Sequence, residues 1–114
     1  MAQVVGKFHK NIIDALNLNI LEGTNILIGE TNLEHMKKSH PTDYRKYGKD
    51  ISLILNEPDF VGINKKDASI EFVKEYKIDS EYVKVAVRVS AGNQYYARWS
   101  DLDFFIITSY NLII

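Results

Sequence analysis

The chain has 114 residues, a length that makes about one domain, so a two-domain enzyme is excluded. With 46% hydrophobic and 25% charged residues and no cysteine, it is neither a disordered tail nor a disulfide scaffold, and thiolate metal sites are ruled out. Fifteen acidic against 14 basic residues leave a formal charge of −1, so it is not a bulk polycation of the kind that coats nucleic acid.

In chain order, Val4 and Val5 before Gly6 predict a short strand. Lys10 to Leu18 follows with Ile12, Ile13 and Leu16 on one side, a short amphipathic helix in a region that Gly23 ends. Asn25-Ile26-Leu27-Ile28-Gly29, apolar between turn formers, predicts a second strand. Thr31-Asn32-Leu33-Glu34 has the form of a capping box, in which a hydroxyl and a carboxylate three residues later each satisfy an end amide, and it predicts a helix start. Pro41 disfavours the α conformation at His40, so this helix stops near Ser39.

Thr42 or Asp43 then caps a further helix, on which Tyr44, Tyr47, Ile51 and Ile54 form one apolar stripe. Gly48 weakens its middle by about 1 kcal/mol relative to alanine, and a break there yields two shorter helices. Asn56-Glu57-Pro58-Asp59 closes it. Phe60 to Asn64, Ser69 to Tyr76, Tyr82 to Ser90 and Gln94 to Ser100 predict strands. Helices first and strands last is the α+β pattern: N-terminal helices packed on a C-terminal antiparallel β-sheet, in a single domain over residues 1–114. The apolar stretch Phe104 to Ile114 predicts a closing core strand or a contact for another chain.

The last hairpin has its register in its residues. Val83, Val85, Val87 and Val89 share one face of their strand, and Lys84, Ala86, Arg88 and Ser90 the other. A two-residue turn at Gly92-Asn93 mixes these faces with those of the next strand. A three-residue loop, Ala91 to Asn93, pairs Val89 with Tyr95, Val87 with Ala97 and Val85 with Trp99, and it pairs Arg88 with Tyr96 and Ala86 with Arg98. One face is then apolar, and the other carries Arg88, Tyr96 and Arg98.

The near-neutral charge is unevenly spread. Between Met36 and Lys49, Lys37, Lys38, Arg45, Lys46 and Lys49 stand against Asp43 alone, a local +4 that leaves −5 elsewhere. The plain account is a solvated helix face; the functional one is a nucleic-acid-binding stripe. Neither a basic n-region with an apolar h-region nor a bilayer-length apolar run appears, so the expectation is a cytoplasmic protein with no membrane partner.

His35 and His40 are five apart, about 140° around a helix, so they do not face one ion together. Without a Gly-rich phosphate loop or nucleophile elbow, no metal and no cofactor is expected. What remains is a metal-free set: His35, Ser39 and His40 at a helix end, and Arg88, Tyr96 and Arg98 on a hairpin face. Cleaving RNA through its own 2′-hydroxyl needs a general base, a general acid and positive charge on the pentavalent phosphate, and these residue types supply them. The same residues also have plainer roles, His40 as a cap and the arginines as partners of acids such as Glu71.

The blocks Asn32-Leu33-Glu34-His35-Met36-Lys37-Lys38-Ser39-His40-Pro41, Tyr47-Gly48-Lys49-Asp50-Ile51, Asn56-Glu57-Pro58-Asp59-Phe60-Val61-Gly62, Ser69-Ile70-Glu71-Phe72-Val73-Lys74 and Val85-Ala86-Val87-Arg88 carry a resemblance. They resemble the small phage and mobile-element nucleases of the barnase, EndoU, colicin E5/D and RelE-like group, over roughly Asn25 to Arg98. The resemblance implies a helix-then-antiparallel-sheet fold, metal-independent RNA cleavage and toxin-like deployment against host or competitor functions. It maps a helix-end histidine onto His40, with His35 its neighbour, and strand arginines onto Arg88 and Arg98.

Where that pattern follows the second arginine with a small hydroxyl residue, this chain has Trp99 and then Ser100, which an unbroken strand puts on the face of Arg98. Asp101 and Asp103 add negative charge close by. Two expectations therefore stand. One is an RNase-like protein acting on RNA or a host ribonucleoprotein, with His35 or His40 as base or acid, Arg88 and Arg98 on the phosphate, Tyr96 stacking or donating a proton, and Ser100 as the hydroxyl. The other is a catalytically inert counter-defence inhibitor of the anti-CRISPR type, which binds an effector protein or its guide RNA.

Overall fold

Alternating β-branched and aromatic residues need a sheet with one buried face. The computed structural model, which describes residues 2–39, 41–77, 81–100 and 110–113, has a sheet with one apolar face in the core, and at its centre the other face is buried too, at Glu71, Val73, Lys84 and Ala86. Its strands are β1 (Gln3–Lys7), β2 (Asn25–Ile28), β3 (Phe60–Ile63), β4 (Ile70–Tyr76), β5 (Glu81–Val89), β6 (Tyr95–Ser100) and β7 (Asn111–Leu112). They lie side by side in the order β1-β2-β6-β5-β4-β3-β7. The helices are α1 (Lys10–Leu16), α2 (Glu30–Ser39), α3 (Pro41–Tyr47) and α4 (Ile51–Asn56), with a 3-10 turn at Gly48–Asp50 between the last two.

The fold is α+β, but the sheet is not confined to the C-terminal half. β1 and β2 pair antiparallel across a connection that contains α1, and this pair joins the sheet through parallel pairing of β2 with β6, Ile26 opposite Tyr95 and Leu27 opposite Tyr96. All other neighbours are antiparallel, so the sheet is mixed. The physical reason lies in β2: Ile26 and Ile28 are almost fully buried, and an isolated pair of strands has no face on which to bury them. Alongside β6 they extend its apolar face.

That face holds Val61, Ile70, Phe72, Val83, Val85, Val87 and Ala97, packed against Phe8, Ile12 of α1, Met36 of α2, and Ile54 and Leu55 of α4. Each helix gives its apolar side to the same face, which places the helical layer there and leaves the Arg88 face on the other side.

Local differences from the sequence reading have local causes. Asn17 adopts a left-handed conformation (φ 52°), which ends α1 at Leu16. α2 starts at Glu30, so Thr31 lies inside its first turn and is not the cap; the Gly29 carbonyl accepts the Leu33 amide at 3.1 Å, and the Glu30 carboxylate favours the positive end of the helix. α3 begins at Pro41, whose preset φ and missing N–H suit a first helical position, so Thr42 and Asp43 fall inside the turn they were expected to cap. The stripe does break at Gly48. A Cβ there would stand 2.8 Å from the Tyr44 ring, so the turn closes over an aromatic side chain that only glycine admits.

Residues 104–109 and 114 of the apolar C-terminal stretch lie outside the described residues. Asn111 and Leu112 pair with Val61 and Phe60 as an edge strand, and the Asn111 amide donates to the Ala15 carbonyl at 2.9 Å.

Candidate functional site

The geometry of the site starts from the β5–β6 hairpin. Its observed pairs are Val89 with Tyr95, Arg88 with Tyr96, Val87 with Ala97, Ala86 with Arg98 and Val85 with Trp99, the register expected from the alternation. The loop is Ala91 to Asn93: Ser90 donates to Gln94 at 2.7 Å, Asn93 donates to Ser90 at 3.0 Å, and Asn93 takes the left-handed conformation (φ 61°) that closes such a loop. Arg88, Tyr96 and Arg98 therefore share the face turned away from the helices.

A third element reaches this face. The β3–β4 connection is tied by Asn64 N–H to the Ser69 carbonyl at 2.9 Å and by Ala68 N–H to the Asn64 carbonyl at 2.7 Å. Within it, Asp67 Oδ1 accepts the Ser69 amide at 3.0 Å, an Asx turn. Its other oxygen, Oδ2, takes a hydrogen bond from Arg88 Nη2, and Arg98 Nη2 stands 3.5 Å from the same atom. Two guanidinium groups from adjacent strands thus converge on one carboxylate oxygen. The Ser69 amide, then the Ser69 hydroxyl and then Arg88 hold the Asp67 carboxyl well below the usual carboxylate range.

Beside them is a buried ion pair. Glu71 on β4 and Lys84 on β5 are 2% and 5% exposed, with Lys84 Nζ 2.9 Å from Glu71 Oε2. Tyr110 donates its hydroxyl to Glu71 Oε1 at 2.7 Å. Its ring lies over Gly62, where a Cβ would come within 2.4 Å of it, so the glycine is what lets the ring reach the carboxylate. In the ladder Ala86 stands between Glu71 and Arg98, a small floor between an acid and a cation.

The other expected residues lie elsewhere. His35 is exposed on α2 with Nδ1 3.4 Å from Ser39 Oγ, while its neighbour Met36 is buried in the core; the sheet separates this helix from Arg88 and Arg98. His40 lies outside the described residues. Ser100 pairs through its backbone with Lys84, and its side chain is outside the description.

The basic stripe is on the helical layer. Lys37 is 4.0 Å from Glu34 and over the Tyr44 ring, and Lys46 is 3.3 Å from Glu81. The Tyr47 hydroxyl, and then Lys46, hold the Glu81 carboxyl below its ordinary value. Lys38, Arg45 and Lys49 are exposed. Among the described residues no group of three or more His, Asp or Glu is placed to hold a metal ion, and no helix is long and apolar enough to cross a membrane.

Asp67 and Tyr110 were not foreseen, and Lys84 was foreseen on the Arg88 face but not as the partner of Glu71. For Asp67 a signal existed, an acid at the end of Asn64-Lys65-Lys66-Asp67 between two strands; for Tyr110 there was none, because its contact depends on the pairing of β7 with β3.

Against known families, residues 3–98 match the model of the phage-Barnase-EndoU-ColicinE5/D-RelE like nuclease 3 family. No curated protein and no solved structure matches the chain at a significant level.

Proposed function

The chain belongs to the phage-Barnase-EndoU-ColicinE5/D-RelE like nuclease 3 family, and from that premise we propose that it is an RNase-like protein whose substrate phosphate sits on the Arg88 face of the sheet. The observation that carries this reading is the convergence of Arg88 and Arg98 on one anionic position. Paired guanidiniums match phosphate oxygens in shape and charge and favour the extra negative charge of a pentavalent phosphorus. Glu71, almost fully buried with one oxygen on Lys84 and the other on Tyr110, lies beneath that face as a structural support, out of reach of a 2′-hydroxyl. Tyr96, across from Arg88, offers a ring for a base to stack on. Lys38, Arg45 and Lys49 extend the contact for longer RNA around the helical layer.

The test is cleavage of mixed RNA in the presence of a chelator. Arg88→Ala and Arg98→Ala each lower the rate by about 10²-fold or more. Undiminished cleavage in the arginine variants sinks the reading.

One observation favours the second reading, a counter-defence inhibitor of the anti-CRISPR type: the anionic position is filled by the chain's own Asp67. An inhibitor titrates its effector one to one, whereas an enzyme turns over.

A further inference from the structure

Arg88 is held by β5 and Arg98 by β6, and their side chains are 43% and 42% exposed. Exposed long side chains lose rotamer freedom when they are held together, and two cations brought side by side repel each other. Both costs are met here by one group. Asp67 Oδ2 receives both guanidiniums, while its Oδ1 is anchored to the Ser69 amide, so the carboxylate is fixed by its own turn and not by the arginines.

We propose that Asp67 is an internal stand-in for phosphate: its carboxylate occupies the oxyanion position between Arg88 and Arg98, and an incoming phosphate ester must displace it. The proposal deepens, and rests on, the reading of the arginine pair as a phosphate site. The ligand class is a phosphate mono- or diester, because two adjacent guanidiniums, each with several donors, fit an oxyanion that has two acceptor oxygens or more. Asp67 remains ionised well into acid, so the competition is in force at neutral pH. The carboxylate keeps the arginines gathered without ligand and sets the affinity an RNA phosphate must exceed.

The competing idea is that Asp67 only positions the arginines, and the two differ in sign. Asparagine at 67 retains the oxygen that accepts the Ser69 amide and so keeps the turn, but it removes the charge. Binding of inorganic phosphate, followed by titration calorimetry on the full chain, is measured for wild type, Asp67→Asn, Asp67→Ser and Asp67→Asn/Arg88→Ala. The expected result is about tenfold tighter binding by Asp67→Asn and Asp67→Ser, lost again in the double variant. Unchanged or weaker binding by both single variants overturns the proposal, as does the absence of phosphate binding in all four proteins.

Cleavage of RNA is scored separately. Tighter phosphate binding by Asp67→Asn in a protein that never cleaves RNA leaves Asp67 as a stand-in and removes the RNase reading. Cleavage that depends on the arginines, together with phosphate binding indifferent to residue 67, does the reverse.

Discussion

Asp67 couples the site to the stability of the protein. Its carboxyl is lowered in the folded state by the Ser69 amide first, then the Ser69 hydroxyl and Arg88, and such a group stabilises the fold above its unfolded value. That contribution is present at neutral pH and is lost as the pH falls from about 5 toward the depressed folded value. Asp67→Asn does not titrate, so the difference in urea midpoint between wild type and variant shrinks between pH 7 and pH 3. A difference that keeps its size across that range refutes the assignment. At this scale the sequence disclosed only part of the site. Arg88 and Arg98 could be put on one face because valines alternate with them along a single strand. The partners Asp67 and Tyr110 come from a turn and a distant strand, whose reach no local pattern encodes.

The β5–β6 hairpin decides which side chains share the candidate site, and its loop decides the register. Asn93 sits at φ 61°, a conformation that costs a β-branched residue about 1–2 kcal/mol and a glycine nothing. Asn93→Val therefore destabilises the protein by about that amount in urea unfolding, and Asn93→Gly leaves it within about 0.5 kcal/mol. Equal stability of the two variants contradicts the role given to the loop. The hairpin was readable because only the odd loop keeps two alternating strands in phase. Helix starts were less so. Both Thr31 and Thr42 carry the expected cap chemistry, but Glu30 and Pro41 one residue earlier suit a first helical turn as well, and the helices begin there.

For the whole molecule, the helices of the described structure pack on one face of a mixed sheet, and the arginine pair lies on the other. The cations of the helical stripe and those of the sheet are thus separate surfaces. On the proposed function, their contributions to RNA affinity separate by substrate length. For a short single-stranded oligonucleotide, replacing Arg88 and Arg98 by glutamine reduces the salt dependence of log K by about 0.7, the share of the one phosphate they hold together, while replacing Lys38, Arg45 and Lys49 changes it little. With a long RNA both sets lower it. Equal effects of both sets on the short oligonucleotide contradict this division. The helical and strand segments were legible in the sequence, but the parallel union of β2 with β6 was not. It pairs residues nearly seventy positions apart, and neither strand carries a mark for its neighbour's direction.

The position of β6 between β2 and β5 has a consequence for how the protein folds. Without β6, β1–β2 and β3–β4–β5 are two separate ribbons, each with an unpaired edge, and the arginine of β5 has no companion. Docking of Tyr95 to Ser100 seals both edges at once and delivers Arg98 to Arg88 in the same step. Such long-range closure is slow compared with local pairing. Without Tyr95 to Ser100 the sheet is therefore in two parts and Arg88 stands without Arg98, so closing the sheet and assembling the arginine pair are one event.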